Sequence, residues 1–403
     1  MTESAAETIL DYPAVRTHPF DPPVEYGRLR IERPVSKVRL ADGRYSWLVT
    51  RFEDARFVYS DARFSSDRRL PGFPVRFQGQ AAHDKTPPSM VGLDGAAHAA
   101  ARGVVMSEFT HRRVEALRPR IQEVVDEFID TMLAGDRPAD LVQALALPVP
   151  ALVNCLQIGV PYRDRDFFHR LVAHLTTPGL GDEDRVTATV ELRNYLADLV
   201  AAKEKKPGDD LLSRQIARQR EEEGAVDQGA LVSLAYLLLI AGYETTAGMI
   251  ALGVLALLQN PDQLALVRDN PKMVAPAVEE LLRYFTPLEH MTCRVATEDV
   301  KIGDVLVGAG EGVIIGGPAA DRDESVFFDP DRLDIARGTR RHLAFGHGPH
   351  QCIGQNVARV ELEVVYGTVF RRIPNLQLAI EFDQIKFKEH SSFYGVHSLP
   401  VTW

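Results

Sequence analysis

The chain has 403 residues, of which 45% are hydrophobic and 25% are charged, a composition typical of a globular protein. Its 46 basic and 56 acidic residues give a net charge of −10, which argues against a nucleic-acid partner and against a membrane-surface partner. Its three cysteines form no paired framework, so we expect a reducing, cytoplasmic environment. The first residues lack the basic-then-apolar order of a signal peptide, and we expect a soluble protein with neither a signal peptide nor a membrane anchor.

Short predicted elements and two irregular segments make up the N-terminal part of the chain. Prolines mark residues 1–40 as an extended lead-in, with one short helix near Val24 to Glu32. Tyr45 to Val49 is a strand by composition, and a helix follows from about Glu53. Residues 68–92 contain several prolines and glycines with little periodicity, which is typical of a long functional loop.

Helical periodicity dominates the middle of the chain. We predict helices near residues 96–107, 111–134, 141–158, 164–175, 187–205, 228–258, 261–269 and 272–284. The charged stretch 218–223 is predicted as a surface connection. Leu231 to Leu258 is long and apolar enough to span a membrane, but Glu244 in its middle would be costly in lipid. We therefore predict a helix that runs through the core of a large protein.

Short strands with glycine turns replace the helical pattern after residue 292. The predicted strands are Arg294 to Ala296, Val300 to Ile302 and Val313 to Ile315, followed later by β segments near Leu376 to Ile380 and Val396 to Trp403. A helix-like stretch, Gln355 to Phe370, lies between them. We predict one domain over residues 1–403, mainly α with small β-sheets (α+β), β-rich near 40–60, 293–316 and 376–403.

A glycine-rich loop with a cysteine near its end, Phe345 to Gly354, is the most specific feature of the chain. Its glycines let the backbone pass close to a flat group. Cys352 lies just before the predicted helix, where unpaired N–H groups and the helix dipole favour a thiolate. Such a thiolate is a good metal ligand, and without a second cysteine nearby we do not expect zinc. A cysteine in a simple glycine-rich turn is the alternative.

The loop resembles the signature F-G-x-G-x-H-x-C-x-G of the cytochrome P-450 family. The fixed positions are matched by Phe345, Gly346, Gly348, His350, Cys352 and Gly354. The resemblance extends over about residues 24–403 and is greatest to bacterial members of the actinomycete kind. It implies the cytochrome P-450 fold, with haem b between the long central helix and the helix after Cys352. Cys352 would be the thiolate ligand of the haem iron, and Phe345, Gly346 and Gly354 would help to bind the haem.

A polar break in the long central helix, Ala241 to Thr245, is similar to the family's A-G-x-E-T motif. Gly242 is expected to leave a space where a small ligand can lie. The Thr245 hydroxyl can bond to a backbone carbonyl one turn earlier and open the helix locally. The resemblance implies a groove for dioxygen beside Ala241, with Thr245 and Glu244 as catalytic residues that supply protons. A threonine that only satisfies the local backbone is the alternative.

Further residues are assigned by resemblance to the family's haem-binding core. Glu280 and Arg283 form an E-x-x-R motif, whose spacing places both on one helix face. With Arg332, they are expected to hold the core together as structural residues. Haem brings two carboxylates that need partners. The expected cations are His98, Arg102, Arg294 and His350.

The family resemblance implies a monooxygenase that hydroxylates or epoxidises its substrate, with O2 as co-substrate. One oxygen atom enters the substrate and the other becomes water. The resemblance implies that electrons come singly from a ferredoxin, which a ferredoxin reductase reduces with NAD(P)H. These partners are expected to be separate proteins, because the chain has no nucleotide-binding or iron–sulfur motif. The expected docking cations are Arg102, Arg112, Arg113 and Arg359. We expect a monomer.

The positions that the family resemblance implies as the lining of the substrate pocket are mostly apolar, which indicates a lipophilic small molecule such as a terpenoid, a steroid or a macrolide. They are residues 71–92 and 167–180, Leu237, Ile240, Ala241, Leu288, His290, Met291 and Phe393. Glu289 and His290 are open to two interpretations, binding a polar group of the substrate or facing solvent.

Two other functions remain open. One is a peroxide-driven haem enzyme or a dehydratase on the same fold. Such members usually lose the threonine or the acid of the central motif, whereas this chain keeps Thr245 and Glu244. The other is a non-catalytic haem protein that binds a gas or carries electrons.

Overall fold

A computed structural model describes residues 9–74, 89–164, 167, 170–171, 182–289, 292–389 and 391–403. They form two compact units. The β-rich unit contains the described parts of Met1–Ala101, Leu282–Leu333 and Thr339–Cys352. The helical unit contains those of Arg102–Leu281, Asp334–Gly338 and Ile353–Trp403. The single domain expected for residues 1–403 stays a prediction.

The described helices and strands are numbered in chain order. The α-helices are α1 (Val24–Glu32), α2 (Phe52–Ser60), α3 (Gly95–Met106), α4 (His111–Glu115), α5 (Arg118–Ala134), α6 (Pro148–Ile158), α7 (Asp182–Lys205), α8 (Leu211–Glu222), α9 (Gln228–Gln259), α10 (Pro261–Asp269), α11 (Val274–Phe285), α12 (Gly317–Ala320) and α13 (Gln355–Arg372). The strands are β1 (Leu10–Asp11), β2 (Val35–Arg39), β3 (Tyr45–Val49), β4 (Phe64–Ser65), β5 (Ala139–Asp140), β6 (Cys293–Ala296), β7 (Val300–Ile302), β8 (Val305–Val307), β9 (Gly312–Ile315), β10 (Gln377–Leu378) and β11 (Pro400–Thr402).

A six-stranded sheet in the order β1-β2-β3-β9-β6-β4 forms the frame of the β-rich unit. Strand β3 pairs in parallel with β9, so that Leu48 lies opposite Ile314, and it pairs antiparallel with β2. Successive side chains point to opposite faces. Leu48 and Ile314 belong to one buried cluster, whereas Val49 and Ile315 belong to another. Burial of both faces explains why these strands are nearly continuous apolar runs in the sequence.

Helix α9 is the centre of the helical unit and packs against α6, α7 and α13. Asp227 caps the start of α9, because its side chain accepts a hydrogen bond from the Ala230 N–H at 2.9 Å. In its second half it is buried on all sides. Gly253 allows a close crossing with α13, because a Cβ there would lie 2.1 Å from the Tyr366 hydroxyl, which donates to the Met249 carbonyl at 2.5 Å.

Among the described residues, Gln228–Gln259 is the one helix long and apolar enough to cross a membrane. Of its most apolar window, 67% is buried within the protein. Glu244 in its middle is buried as well. This pattern is that of a helix in the core of a large protein, as predicted.

Most predicted elements are confirmed, with differences that have local causes. The helix predicted over 111–134 divides into α4 and α5, and Pro119 lies in the first turn of α5. The helix predicted over 141–158 begins as a π-helical turn, Val142–Ala146, before α6. The stretch 218–223 was wrongly predicted as a connection, since almost all of it lies in α8. The helix predicted over 164–175 lies mostly outside the described residues.

Candidate active site

The loop that carries Cys352 is closed by its own backbone. The Cys352 N–H donates to the Phe345 carbonyl at 2.8 Å, and the Gly346 N–H donates to the Leu343 carbonyl at 2.8 Å. Gly348 has a φ of +70° and lies so close to α2 that a Cβ would be 2.7 Å from the Tyr59 carbonyl. A larger residue would therefore be strained at this position. The loop leaves the Cys352 side chain exposed shortly before α13 begins.

Two histidines predicted to bind haem carboxylates lie together in the β-rich unit. The rings of His98 and His350 are stacked, with centroids 3.9 Å apart. His98 is buried and His350 is half-buried. His350 Nε2 lies 3.2 Å from the Ser66 hydroxyl and 3.9 Å from the Asp94 carboxylate. The structure therefore brings His98 and His350 together, whereas no motif marks Ser66.

Arg294 is buried, and burial lowers the pKa of its guanidinium. It donates to the Cys293 carbonyl at 2.8 Å and lies 5.9 Å from the centre of the Tyr59 ring. The same ring packs against Gly346, where a Cβ would be 3.4 Å away. Tyr59 thus links Arg294 to the cysteine loop, although no sequence motif marks it. Burial raises the pKa of Tyr59 to about 12, so the ring is neutral.

In the helical unit, α9 bears the two predicted catalytic side chains in consecutive positions. The Thr245 hydroxyl donates to the Ala241 carbonyl at 3.1 Å, as predicted, and α9 continues as an unbroken helix through this segment. Glu244 is buried, and its carboxylate accepts a hydrogen bond from Lys388 Nζ at 2.9 Å. Lys388 lies far from α9 in the sequence, where no motif points to it.

The prediction that Gly242 leaves space for a small ligand is wrong. A Cβ on Gly242 would lie 2.8 Å from the Asn154 amide oxygen. Asn154 belongs to α6, is buried, and donates to the Leu239 carbonyl at 3.5 Å. The missing side chain therefore makes room for a polar group of the neighbouring helix.

The arginine that pairs with the buried Glu280 is the half-buried Arg337. Arg337 Nε lies 3.2 Å from the Glu280 carboxylate, and the Asp334 N–H donates to the same carboxylate at 3.0 Å. Arg332 was predicted to join the Glu280 and Arg283 pair. Its side chain is 65% exposed and lies 3.7 Å from Asp329. We therefore correct the assignment from Arg332 to Arg337.

Arg283 binds backbone carbonyls within the β-rich unit, and its role in holding the haem-binding core together stays a prediction. Its fully buried guanidinium donates to the Asp321 and Pro330 carbonyls, both at 2.9 Å. Charge-assisted hydrogen bonds to backbone carbonyls fix the loop that contains these residues.

Arg359 is not the exposed docking cation that the sequence suggested. It binds the Glu279 carboxylate with two nitrogens, at 2.6 and 3.1 Å, and both side chains are buried. Arg112 is exposed on α4. Arg113 is also exposed and lies 3.3 Å from Glu108. Arg102 is half-buried.

The described residues that were predicted to line the substrate pocket are mostly half-buried. Leu237, Ile240, Leu288 and Phe393 are half-buried, and Ala241 is exposed. Glu289 does not face solvent, because it is buried. Its Oε1 atom accepts a hydrogen bond from Arg16 Nε at 2.9 Å and lies 2.8 Å from Arg16 Nη2. His290, Met291, residues 75–88 and most of 167–180 lie outside the described residues.

Comparison with known proteins identifies the family. A family model described as Cytochrome P-450 matches residues 186–398. The chain is 46% identical over 393 residues to the pentalenic acid synthase of Streptomyces avermitilis, covering 97% of each. The chain belongs to the cytochrome P-450 family. The family is a class of oxidoreductases that bind haem b and use O2 as co-substrate.

Solved structures of cytochromes P-450 confirm the predicted fold. The structure of cytochrome P-450 MoxA (CYP105) from Nonomuraea recticatena superposes with a TM-score of 0.94 at 55% identity, over 98% of both chains. The mycinamicin VIII C21 methyl hydroxylase MycCI from Micromonospora griseorubida superposes with a TM-score of 0.90 at 37% identity, over 98% of this chain and all of its own.

The side chains of the β-rich unit fit haem b. Its iron accepts a thiolate, and Cys352 presents an exposed sulfur. Its two carboxylates need basic partners, and His98, His350 and the buried Arg294 lie in the same unit as Cys352. These four residues would hold the cofactor. The assignments of Arg102, Ala241, Phe345, Gly346 and Gly354 to haem binding stay predictions.

Proposed function

We propose that this cytochrome P-450 hydroxylates or epoxidises a lipophilic small molecule of the terpenoid, steroid or macrolide kind. In the overall reaction the substrate, O2, NAD(P)H and one proton give the oxidised product, water and NAD(P)+. Haem, when bound, supplies the activation of dioxygen. The polypeptide binds and orients the substrate, holds the cofactor and delivers protons.

The arrangement of Thr245 and Glu244 supports this proposal over the alternatives. A hydroxyl that is bonded to the backbone at Ala241 and a buried, ionisable carboxylate occupy consecutive positions on α9. An enzyme that splits dioxygen must deliver protons in a controlled order, and such a pair provides an acceptor and a donor. A peroxide-driven enzyme or an electron carrier does not need this pair.

Apolar pocket residues support a lipophilic substrate. Leu237, Ile240, Leu288 and Phe393 contribute apolar side chains that are partly accessible. Glu289 adds no uncompensated charge, since its carboxylate is paired with Arg16. Relatives named for pentalenic acid and for mycinamicin VIII agree with tailoring of small molecules.

A ferredoxin, reduced by a ferredoxin reductase, is the electron donor that we propose. The exposed cations Arg112 and Arg113, with the half-buried Arg102, remain candidates for its docking face. Arg359 is no longer a candidate for the docking face, because it is buried against Glu279. Dependence on NAD(P)H and ferredoxin supports a cytoplasmic location.

The deciding experiment measures product, NAD(P)H and hydrogen peroxide together. Thr245→Ala should still bind substrate and consume NAD(P)H through a surrogate ferredoxin system. More of the consumed dioxygen should then leave as hydrogen peroxide, because the hydroxyl that positions the proton is missing. Thr245→Ser, which keeps the hydroxyl, is the matched control and should stay close to wild type. A wild-type ratio of product to NAD(P)H in Thr245→Ala would show that Thr245 is structural. A wild-type protein that forms no oxidised product from lipophilic compounds, O2 and NAD(P)H would contradict the proposal.

A further inference from the structure

A buried ion pair joins two segments of the β-rich unit that are far apart in the sequence. Arg16 lies in the N-terminal segment (residues 13–23), and Glu289 lies at the end of the pocket segment (residues 286–289). Arg16 Nε donates to the Glu289 carboxylate at 2.9 Å, and the two side chains are 6% and 2% exposed. Separation of the two segments would leave both charges buried without a partner, so the pair ties the segments firmly together.

The ion pair holds the pocket segment from the side opposite Leu288, which is predicted to line the substrate pocket. Leu288 lies in a β-bridge, so the backbone is extended there. Successive side chains of an extended chain point to opposite sides. Leu288 is half-buried, whereas Glu289 is buried against Arg16. A displacement of Glu289 would therefore move the Leu288 side chain as well.

The N-terminal segment is itself anchored to the β-rich unit. Arg16 Nη1 donates to the Asp21 carbonyl at 2.6 Å. The Phe20 ring is buried and packs edge-to-face against Phe285, with ring centroids 5.4 Å apart. The buried Arg322 donates to the Phe20 carbonyl at 3.0 Å. The guanidinium of Arg16 is therefore held in a fixed place behind the pocket segment.

The other end of the pocket segment is fixed at Thr286. Thr286 has a φ of +42°, which is unusual for a β-branched residue, and it precedes Pro287. Its hydroxyl donates to the buried Asp321 carboxylate at 2.7 Å. Such a backbone conformation persists only where surrounding contacts hold it. The pocket segment is thus held at both ends, with Leu288 between Thr286 and Glu289.

We propose that Arg16 is a positioning residue that sets the place of Leu288 in the wall of the substrate pocket. It would thereby help to determine which lipophilic molecules fit and how they are oriented. A guanidinium suits this task, because its planar fork restrains direction as well as distance. This inference rests on the proposed function, because it takes Leu288 as part of the substrate pocket.

The binding of two azoles to the holoenzyme tests the inference without turnover. Clotrimazole carries bulky apolar rings that contact the walls of a pocket, whereas imidazole offers an iron-binding nitrogen without such rings. Arg16→Met should raise the dissociation constant of clotrimazole by about tenfold, the size expected for one lost apolar contact in a pocket. The dissociation constant of imidazole should stay at its wild-type value. Both constants are measured from the shift of the haem absorption band.

Three control variants separate positioning from stability. Arg16→Met/Glu289→Gln removes the uncompensated charge but leaves the tie broken. Its denaturant midpoint should recover relative to Arg16→Met, whereas its binding of clotrimazole should stay weakened. Arg16→Lys keeps the charge and should bind clotrimazole more tightly than Arg16→Met does. Arg39→Met breaks an exposed ion pair with Asp11 in the same unit and should change neither the midpoint nor the binding of clotrimazole.

Wild-type binding of clotrimazole in Arg16→Met would overturn the inference. An equal loss for clotrimazole and imidazole would also overturn it, because the change would then act on the haem site itself. Recovery of clotrimazole binding together with the midpoint in Arg16→Met/Glu289→Gln would show that Arg16 serves stability alone. If Arg16→Met does not fold, the double variant compared with wild type gives the same test.

Failure of the proposed function would be recognised separately. A wild-type protein that oxidises no lipophilic compound would refute that function. The two azoles would still decide whether Arg16 shapes the pocket, because their binding needs no turnover.

Discussion

Replacing Arg359 should destabilise the protein instead of weakening its binding to ferredoxin. Its guanidinium meets the Glu279 carboxylate at 2.6 and 3.1 Å and the Gln355 side-chain oxygen at 2.9 Å. The Arg359 and Glu279 side chains are only 10% and 5% exposed. Removal of one partner leaves a buried, uncompensated charge, which costs about 3–5 kcal/mol. Arg359→Met should therefore lower the denaturant midpoint of unfolding, measured by circular dichroism.

Glu279 and Arg112 supply the controls for this experiment. Glu279→Gln/Arg359→Met should be less destabilised than the two single changes together, because neither partner is left charged and buried. Arg112→Ala removes an exposed cation and should change the free energy of unfolding by less than about 0.5 kcal/mol. An Arg359→Met protein with a wild-type midpoint and a raised KM for ferredoxin would refute the buried ion pair.

Two further changes test other parts of the structure. Gly242→Ala places a Cβ 2.8 Å from the Asn154 amide and should cost about 1–3 kcal/mol in unfolding experiments. Asn154→Ala should relieve that cost, and an unchanged midpoint in Gly242→Ala would contradict the close contact. Burial raises the pKa of Asp321 to about 6, above the ordinary value of about 4. The folded protein therefore favours the protonated carboxyl, and the free energy of unfolding should decrease as the pH rises from about 4 to about 6. The difference in midpoint between wild type and Asp321→Asn should fall over that range, and a constant difference would contradict the raised pKa.

Residues in short, ordered motifs were predictable from the sequence. The cysteine loop and the Thr245 turn depend on backbone geometry within a few residues, which spacing alone can indicate. Helix α9 was also predictable from the sequence, because a long apolar segment with a carboxylate in its middle favours a helix in a protein core. His98 and His350 were predictable through the family resemblance, and the structure brings them together.

Contacts between distant segments were not predictable in this way. Lys388, Arg337 and Asn154 reach their partners across large sequence separations, and no spacing rule connects them. Arg359 was assigned to the docking face because that face was expected where Cys352 lies nearest the surface, whereas the structure pairs Arg359 with the buried Glu279. Helix α8 was missed because its charged end resembles a linker, although Asp210 caps its start through the Ser213 N–H at 2.9 Å.

The measurement that tests the central claim most directly is the spectrum of the reduced protein with carbon monoxide. If Cys352 is the thiolate ligand of the haem iron, wild type should show the red-shifted band of thiolate-ligated haem. Cys155→Ala and Cys293→Ala should keep that band, and Cys352→His should lose it. A Cys352→His protein with an unchanged band would contradict the assignment.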